Sequence, residues 1–546
     1  MTDDLAGAVY AFGHDHGVPP RGLGGLLGGK GAGLAEMTST LGLPVPPGFT
    51  IAVPMCRAYR QSGWPAELDE LLPGHMRALE QKMGRCFGDA ADPLLVAVRS
   101  GAPKSMPGML DSVLNIGLNE AAVEGLAAAS GDEGFAWDSY RRFVTMYATI
   151  VLDIAHDVLA AAGSPAEGAA VDAVKAQVKK LLAAVEAAGH RIPDTPGEQL
   201  RGAVEAVFRS WDSPRAKAYR QHEAISEDMG TAVNVQAMVF GNRSGQSGTG
   251  VVFTRDPATG HPEPYGDYLW HAQGEDVVSG KAQTQKIAQM AIDMPAVYEE
   301  LRRHLARLEG HYRDICDVEF TIEQGKLWIL QTRIGKRGAI AAVRAAVQMV
   351  SGPAIGLTPA EAVSRVPAEI RARARAETLS EARGRTAGTG GTALIATGLA
   401  ASPGRASGTV VLSADAAADS TGDVILVRSE TSTEDVHGMS VAAGLLTSTG
   451  GLVSHAAVVA RGWDIPAVVG AGDLVIGDEH VATREGKTLF SAGDTITIDG
   501  GTGQVWLGQV EDLGGAAGGP SDEELLEIEL PELRILESWA AEHEDA

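Results

Sequence analysis

Gly450-Gly451-Leu452-Val453-Ser454-His455-Ala456-Ala457-Val458-Val459-Ala460-Arg461 is the stretch from which the rest of the chain is read. Its two leading glycines mark a tight turn. Ser454 is placed to cap a helix, because its side-chain oxygen can accept from an unpaired backbone N–H one turn on. The small and apolar residues from Ala456 to Ala460 continue that helix, and Gly462 offers it an end. His455 then stands at a helix N-terminus, where unpaired N–H donors and roughly half a unit of positive charge suit a phosphoryl group. The same field disfavours imidazolium, so the ring stays neutral and nucleophilic. By itself the pattern is equally compatible with an ordinary surface histidine.

Around it, from Ala393 onward, the pattern is one of short strands and helices, closed by Thr497-Ile498-Asp499-Gly500-Gly501-Thr502-Gly503. Arg383-Gly384-Arg385-Thr386-Ala387-Gly388-Thr389-Gly390-Gly391 reads as a flexible linker before this region, and residues 514–519 as a second glycine-rich linker after it. A domain between two hinges can move as a body. The last stretch is acidic; a short helix is expected near Leu533 to Trp539 and disorder elsewhere.

Towards the N-terminus, the strongest local constellation is Asp317-Val318-Glu319-Phe320-Thr321-Ile322-Glu323, a turn at Gly325, and Leu327-Trp328-Ile329-Leu330-Gln331-Thr332-Arg333. In strands, Asp317 and Glu319 share one face, and so do Gln331 and Arg333. Two carboxylates on one face can hold Mg²⁺, which takes few protein oxygens beside phosphate oxygens, and Arg333 can contact a phosphate the metal also binds. A three-residue loop, Gln324-Gly325-Lys326, is expected, since it pairs Glu319 with Gln331 and Asp317 with Arg333. A surface hairpin with cross-strand ion pairs is the plainer alternative.

Further upstream, residues 21–33 are glycine-dense and run into a helical start at Leu34-Ala35-Glu36-Met37. Glycines let a backbone approach phosphate closely and Lys30 supplies a compact charge, although the spacing is not that of a Walker motif. Leu94-Leu95-Val96-Ala97-Val98-Arg99-Ser100 reads as a buried strand ending at Arg99, followed by a Gly/Pro loop that suits a phosphate clamp. Residues 120–208 are mainly helical and carry no assigned chemistry. Thr231 to Phe240 and the stretch beginning Gly245-Gln246-Ser247-Gly248-Thr249-Gly250 read as two strands around a glycine turn, ordinary hairpin material.

Composition bounds these readings. The 546 residues suggest roughly three to four domains of about 150 residues. Hydrophobic residues make up 45% but aromatics only 5%, so cores must rely on small and aliphatic side chains. With 45 Lys and Arg against 70 Asp and Glu, the net charge is −25, unsuited to nucleic acid or an anionic membrane. Cys56, Cys86 and Cys316 are scattered, with no disulfide framework or zinc spacing, which fits a reducing cytoplasm. The start lacks a signal peptide's basic and apolar runs, and no stretch reaches the ~18 apolar residues of a membrane span.

The His455 stretch, Gly-Lys-Gly-Ala-Gly-Leu-Ala-Glu-Met from Gly29, Val-Arg-Ser-Gly-Ala-Pro-Lys-Ser-Met-Pro-Gly-Met-Leu-Asp from Val98, and Thr431-Ser432-Thr433-Glu434-Asp435 resemble the pyruvate phosphate dikinase family over about residues 20–510. The resemblance implies an α+β and α/β multidomain fold: an ATP-grasp nucleotide-binding domain with a helical insertion, then a swivelling β/β/α phosphohistidine domain. The implied boundaries are 1–118 and 211–340 for the ATP-grasp subdomains, 119–210 for the insertion, 341–391 for a helical and glycine-rich linker, 392–510 for the carrier and 511–546 for an acidic flexible tail. It implies that ATP and Mg²⁺ are bound, with Lys30, Arg99, Gly108, Gly250, Glu275, Gln331 and Arg333 at the nucleotide, Asp317 and Glu319 on the metal, and His455 Nε2 as the nucleophile that takes the β-phosphoryl group. The family's lysine after the first long helix is missing: between Arg142 and Lys175 only His156 offers a cation. The implied activity is that of a transferase with paired acceptors, using ATP and inorganic phosphate. Since no ~250-residue barrel follows Val510, the expectation is an ATP half-reaction, with a separate phosphoenolpyruvate/pyruvate-binding barrel protein as partner and a cytoplasmic monomer otherwise. The rivals are a phosphocarrier or regulatory protein, and an antibiotic-type phosphotransferase; the roughly fifty residues between nucleotide and carrier regions leave the latter little room for an acceptor domain.

Overall fold

The computed structural model describes residues 7–104, 106, 109–163, 170–278, 284–352, 355–386, 393–452, 454–510 and 520–544. The chain packs into two compact units. One comprises Met1–Ser247, Ile322–Gln324 and Trp328–Thr332; the other comprises Gly248–Thr321, Gly325–Leu327 and Arg333–Ala546.

The first unit is built on strands β1 (Val9–Ala11), β2 (Gly48–Ile51), β3 (Val96–Gly101), β4 (Ser112–Ile116) and β5 (Ala232–Ala237). They form one antiparallel sheet in the order β1-β2-β5-β3-β4. Helices over Glu120–Ser130, Glu133–Met146, Val171–Ala187 and Pro196–Ser210 follow, three of them started by side-chain caps or proline: Asn119 accepts from Ala122 N–H, Asp132 from Phe135 N–H, and Thr195 precedes Pro196. Phe143, Val178, Leu181, Val204 and Val207 on these helices share one core with Val98, Val113, Val233 and Val235 of the sheet. The helical segment expected as an insertion is therefore part of the sheet's own core.

The glycine-dense stretch is helical rather than a loop. Helix α1 (Gly24–Ala35) buries Leu27, Ala32, Leu34 and Ala35, and it breaks at Gly28, whose φ of 69° is open to glycine. The reason is close packing: a Cβ on Gly28 would lie 1.6 Å from the carbonyl oxygen of Gly101, and one on Gly31 would lie 2.8 Å from Thr50 Oγ1.

A second sheet is formed by β6 (Gly248–Phe253), β7 (Tyr265–Trp270), β8 (Gln285–Lys286), β9 (Cys316–Glu323) and β10 (Lys326–Ile334), in the order β8-β7-β6-β9-β10. The expected hairpin between β5 and β6 does not form, since the two strands enter different sheets. Helices α2 (Ala339–Ser351) and α3 (Ala368–Thr386) follow, so the first residues of the proposed linker, Arg383 to Thr386, are helical.

The third region is an eight-stranded mixed sheet. Its strands are β11 (Leu394–Thr397), β12 (Leu399–Ser402), β13 (Arg405–Val411), β14 (Val424–Arg428), β15 (Gly444–Thr447), β16 (Ala467–Val469), β17 (Thr495–Asp499) and β18 (Gln504–Leu507), ordered β11-β18-β17-β13-β14-β15-β16-β12. β13 through β16 run parallel, and all five residues of β14 but the last are buried, as a strand covered on both faces requires.

The C-terminal tail departs from expectation. Asp522–Glu529 and Pro531–Glu544 are helices, and Leu526, Leu530, Leu533 and Leu536 are buried with Val343, Val347, Ala362 and Ala374. Arg375 pairs with Glu523 and Glu537, so the acidic residues face arginines of the preceding helices. Residues 511–519, with the second proposed linker, lie outside the described residues, as do 387–392 of the first. Among the described residues no helix is long and apolar enough to cross a membrane.

Candidate active site

β15 ends at Thr447 and helix α4 (His455–Trp463) begins eight residues later, before the parallel strand β16. His455 thus lies at the carboxyl edge of a parallel sheet and at a helix N-terminus, the place where open α/β sheets hold ligands. The loop between is pinned by backbone bonds, Ser448 N–H to Arg428 O at 3.2 Å and Thr449 N–H to Ser429 O at 2.9 Å. Thr449 Oγ1 donates to the same Ser429 carbonyl at 2.7 Å.

His455 is oriented by Thr431, whose Oγ1 lies 2.9 Å from Nδ1. Nε2 is buried and has no hydrogen-bond partner. With Nδ1–H donating to Thr431, the Nε2 lone pair is free for attack. Burial holds the ring's pKa below its ordinary 6.5, against an upward pull from Asp435. Ser454 occupies the N-cap position, but its hydroxyl makes no cap bond and is itself buried without a partner. The helix ends at Asp464, in the left-handed conformation with φ 56°, and not at Gly462.

Two residues that the sequence reading left out grip the loop before His455. Asp267 of β7, buried, accepts from Leu452 N–H at 2.7 Å. Burial pushes its carboxyl up, with the Leu452 and Thr284 donors and nearby cations working the other way. Arg461 donates to Leu452 O and to Ala401 O, both at 2.7 Å. The signal for Arg461 was its position: it follows Ala457 by four residues on the buried side of α4. Thr431 was quoted as part of a motif without a role.

The hairpin carries the second group. β9 ends at Glu323 and β10 starts at Lys326, with positive φ at both Gln324 (51°) and Gly325 (79°). The turn thus has two residues of the type that matches strand twist, and the expected three-residue loop is not formed. Counting back from such a turn sets Glu319 against Leu330, so the expected pairing of Glu319 with Gln331 is lost. Farther from the turn, Gln331 and Thr332 are buried in succession, which breaks the alternation, and Arg333 Nε donates to Asp317 Oδ2 at 2.7 Å. Burial pushes the Asp317 carboxyl up while Arg333 pulls it down; Arg333, opposed by burial but flanked by Asp317 and Glu319, holds its proton more tightly than usual. Asp317 Oδ1 and Gln331 Oε1 are each buried without a partner, and Glu319 is half-buried. Asp317 is therefore the carboxylate with a buried, unsatisfied oxygen, as a Mg²⁺ ligand needs. Among the described residues no cluster of three or more His, Cys, Asp or Glu is suited to a metal.

In the first unit, Lys30 lies beside Gly101, two residues after Arg99 on β3. Gly29 N–H donates to Ala102 O at 3.0 Å, and a Cβ on Gly101 would lie 3.5 Å from Lys30 Cβ and 2.6 Å from Asn234 Nδ2. Arg99 sits on β3 opposite Ser112 and Asn234. In the second unit Gly250 is buried in β6, where a Cβ would meet the Phe320 ring at 2.5 Å, so its glycine serves packing. Glu275 lies in the short helix Gly274–Val278, and Gly108 falls outside the described residues. His156 is exposed at the start of His156–Ala160.

Fold and site together define a class: multidomain α/β chains in which a glycine-lined antiparallel sheet precedes a parallel-sheet domain that presents an oriented histidine. The family described as "Pyruvate phosphate dikinase, AMP/ATP-binding domain" matches residues 24–76, 61–298 and 289–351, and "PEP-utilising enzyme, mobile domain" matches residues 421–503. The chain belongs to the pyruvate phosphate dikinase family. It is 46% identical over 502 residues to pyruvate, phosphate dikinase of Clostridium symbiosum, covering 89% of this chain and 56% of that one. It is 44% identical over 520 residues to the chloroplastic pyruvate, phosphate dikinase of Flaveria pringlei (92% and 53%), and 44% identical over 533 residues to that of Rhizobium meliloti strain 1021 (93% and 58%). The chain thus spans little more than half the length of these relatives.

Proposed function

We propose that this chain carries out the ATP-using half of a dikinase reaction, with His455 as the phosphoryl acceptor. The observation that carries the reading is His455 itself, neutral by burial, fixed at Nδ1 by Thr431 and unpartnered at Nε2. Nε2 attacks the β-phosphorus of ATP, the bond from that phosphorus to the α,β-bridging oxygen breaks, and AMP leaves with the electron pair. Inorganic phosphate then attacks the γ-phosphorus, pyrophosphate departs and phosphohistidine remains. The proton stays on Nδ1 throughout, donated in the hydrogen bond to Thr431 Oγ1.

The nucleotide belongs to an ATP-grasp fold made of residues 1–118 and 211–340. Lys30, Arg99 and Arg333 offset charge on the phosphates, the main lever in phosphoryl transfer. Glu275 and Gln331 bind its polar edges, in the same motif set as Gly108 and Gly250. Bound Mg²⁺ would neutralise phosphate oxygens, held by Asp317 through Oδ1 with Glu319 in support. The carrier, residues 392–510, swivels to deliver the phosphoryl group to pyruvate. The longer relatives offer no support for an acceptor barrel on a separate protein; a domain on the same polypeptide is the arrangement their length suggests.

The test uses ATP labelled in the β or γ position, with and without inorganic phosphate. β-label should enter His455 under both conditions, and γ-label should remain on the protein only without phosphate. Labelling of neither kind would remove the nucleotide reading.

A further inference from the structure

We propose that Arg461 is a positioning residue that sets the His455 imidazole by clamping the loop before it. The proposal rests on His455 being the phosphoryl acceptor. Leu452 stands three residues before His455 and is buried. Its carbonyl accepts from Arg461 Nη2 at 2.7 Å, while Nη1 of the same guanidinium donates to Ala401 O, on β12 at the sheet edge, also at 2.7 Å. Ser454 N–H closes back on Gly451 O at 3.1 Å, so the turn that launches the helix is built on the residue Arg461 holds. One planar fork therefore ties the catalytic loop to a rigid strand.

The arrangement is costly, which argues for a purpose. Arg461 is 6% exposed, and it donates to two neutral carbonyls rather than to a carboxylate. Its guanidinium lies 5.4 Å from the centre of the Phe253 ring, and the charges of Asp317 and Asp267 act on it from farther off. A leucine or methionine would fill such a place without burying a charge. Neither apolar residue could fix Leu452 O, and a lysine ammonium lacks the fork needed to bridge two carbonyls. Without the clamp, the loop is free to rotate His455 and expose Nδ1 at the expense of its Thr431 contact.

The experiment uses Arg461→Lys and Arg461→Met in residues 1–546, with phosphoramidate as a small phosphoryl donor that needs no nucleotide site. The phosphorylated nitrogen is assigned by ³¹P and ¹⁵N spectroscopy, and melting curves report the fold. The parent chain should label at His455 Nε2 alone. Both variants should label about tenfold or more slowly, with Nδ1 product appearing, and Arg461→Lys, which keeps charge and bulk, should melt close to the parent. Parent-like rate and nitrogen selectivity in a folded Arg461→Lys would overturn the proposal. A parent chain that labels with phosphoramidate but not with ATP would defeat the nucleotide reading and leave the clamp standing.

Discussion

His455 is half-buried with its Nε2 enclosed and Asp317 is buried, both in the same compact unit, yet loss of water acts on them to different ends. For His455, loss of water favours the neutral ring, and a neutral hydroxyl is its nearest partner. For Asp317, loss of water would equally favour the neutral acid, but Arg333 at 2.7 Å opposes it. The first group is prepared as a nucleophile by being left alone at Nε2; the second is a carboxyl that burial pushes up, with a fixed cation pulling against that rise. Phosphoryl transfer needs both, an unprotonated attacking nitrogen and charges that meet the phosphates.

Replacing the nucleophile should give the largest effect. His455→Ala should bind ATP as the parent does, by calorimetry, and form no acid-labile phosphoenzyme. Residual labelling would place the acceptor elsewhere and dissolve the comparison. Next in size is Asp317→Asn, which removes the charge but keeps the shape. Formation of phosphoenzyme from ATP should fall on the order of 10²-fold, whereas phosphoramidate labelling of His455 should not change. Equal loss with both donors would mean that Asp317 serves the carrier's fold and not the nucleotide.

The parts of this design that were legible in the sequence were those coded locally. The apolar run before Arg99, the alternation in β9 and the small-residue helix after His455 each state their element within a few residues. What was missed depends on residues distant along the chain. The glycine-dense residues 21–33 did not announce a helix, because glycine disfavours one, but α1 places those glycines against Gly101 and Thr50. The tail read as loose because its charge is high; its Leu526, Leu530, Leu533 and Leu536 stripe finds a partner only in helices some 150 residues earlier. Asp267 and Arg461 bond to backbone, which no side-chain pattern reveals. The hairpin turned on a single residue of loop length: Gln324 takes a positive φ, and the two-residue turn replaces the three-residue loop that side-chain parity favoured.

Thr431→Val tests the neutral side of the comparison more gently. It removes the acceptor for Nδ1–H while keeping the branched shape. Labelling by ATP should slow about tenfold, in the range for loss of one orienting bond, and the ¹⁵N spectrum should show both imidazole tautomers. A single unchanged tautomer would mean that helix and loop, not Thr431, orient the ring.

The smallest expected effect concerns pH and the residue that works against burial. His455 titrates below 6.5 because burial disfavours imidazolium, and Asp435 pulls it back up. Only the neutral ring attacks, so the acid limb of the phosphoenzyme-formation rate should fall below pH 6.5. Asp435→Asn removes the upward pull and should move that limb further to acid, by a fraction of a unit given the distance and screening. The asparagine retains an oxygen for Ser432 N–H, which Asp435 now accepts at 2.8 Å, so the capping turn survives. Stability follows the same sign. The unfolded chain takes up a proton near pH 6.5 and the folded chain only below that, so this contribution is intact above about 6.5 and is lost as pH falls through the folded value. Asp435→Asn should therefore steepen the acid loss of melting temperature while extending activity to lower pH. A limb that moves towards neutral pH in this variant would show that Asp435 acts through the loop's geometry and not through its charge.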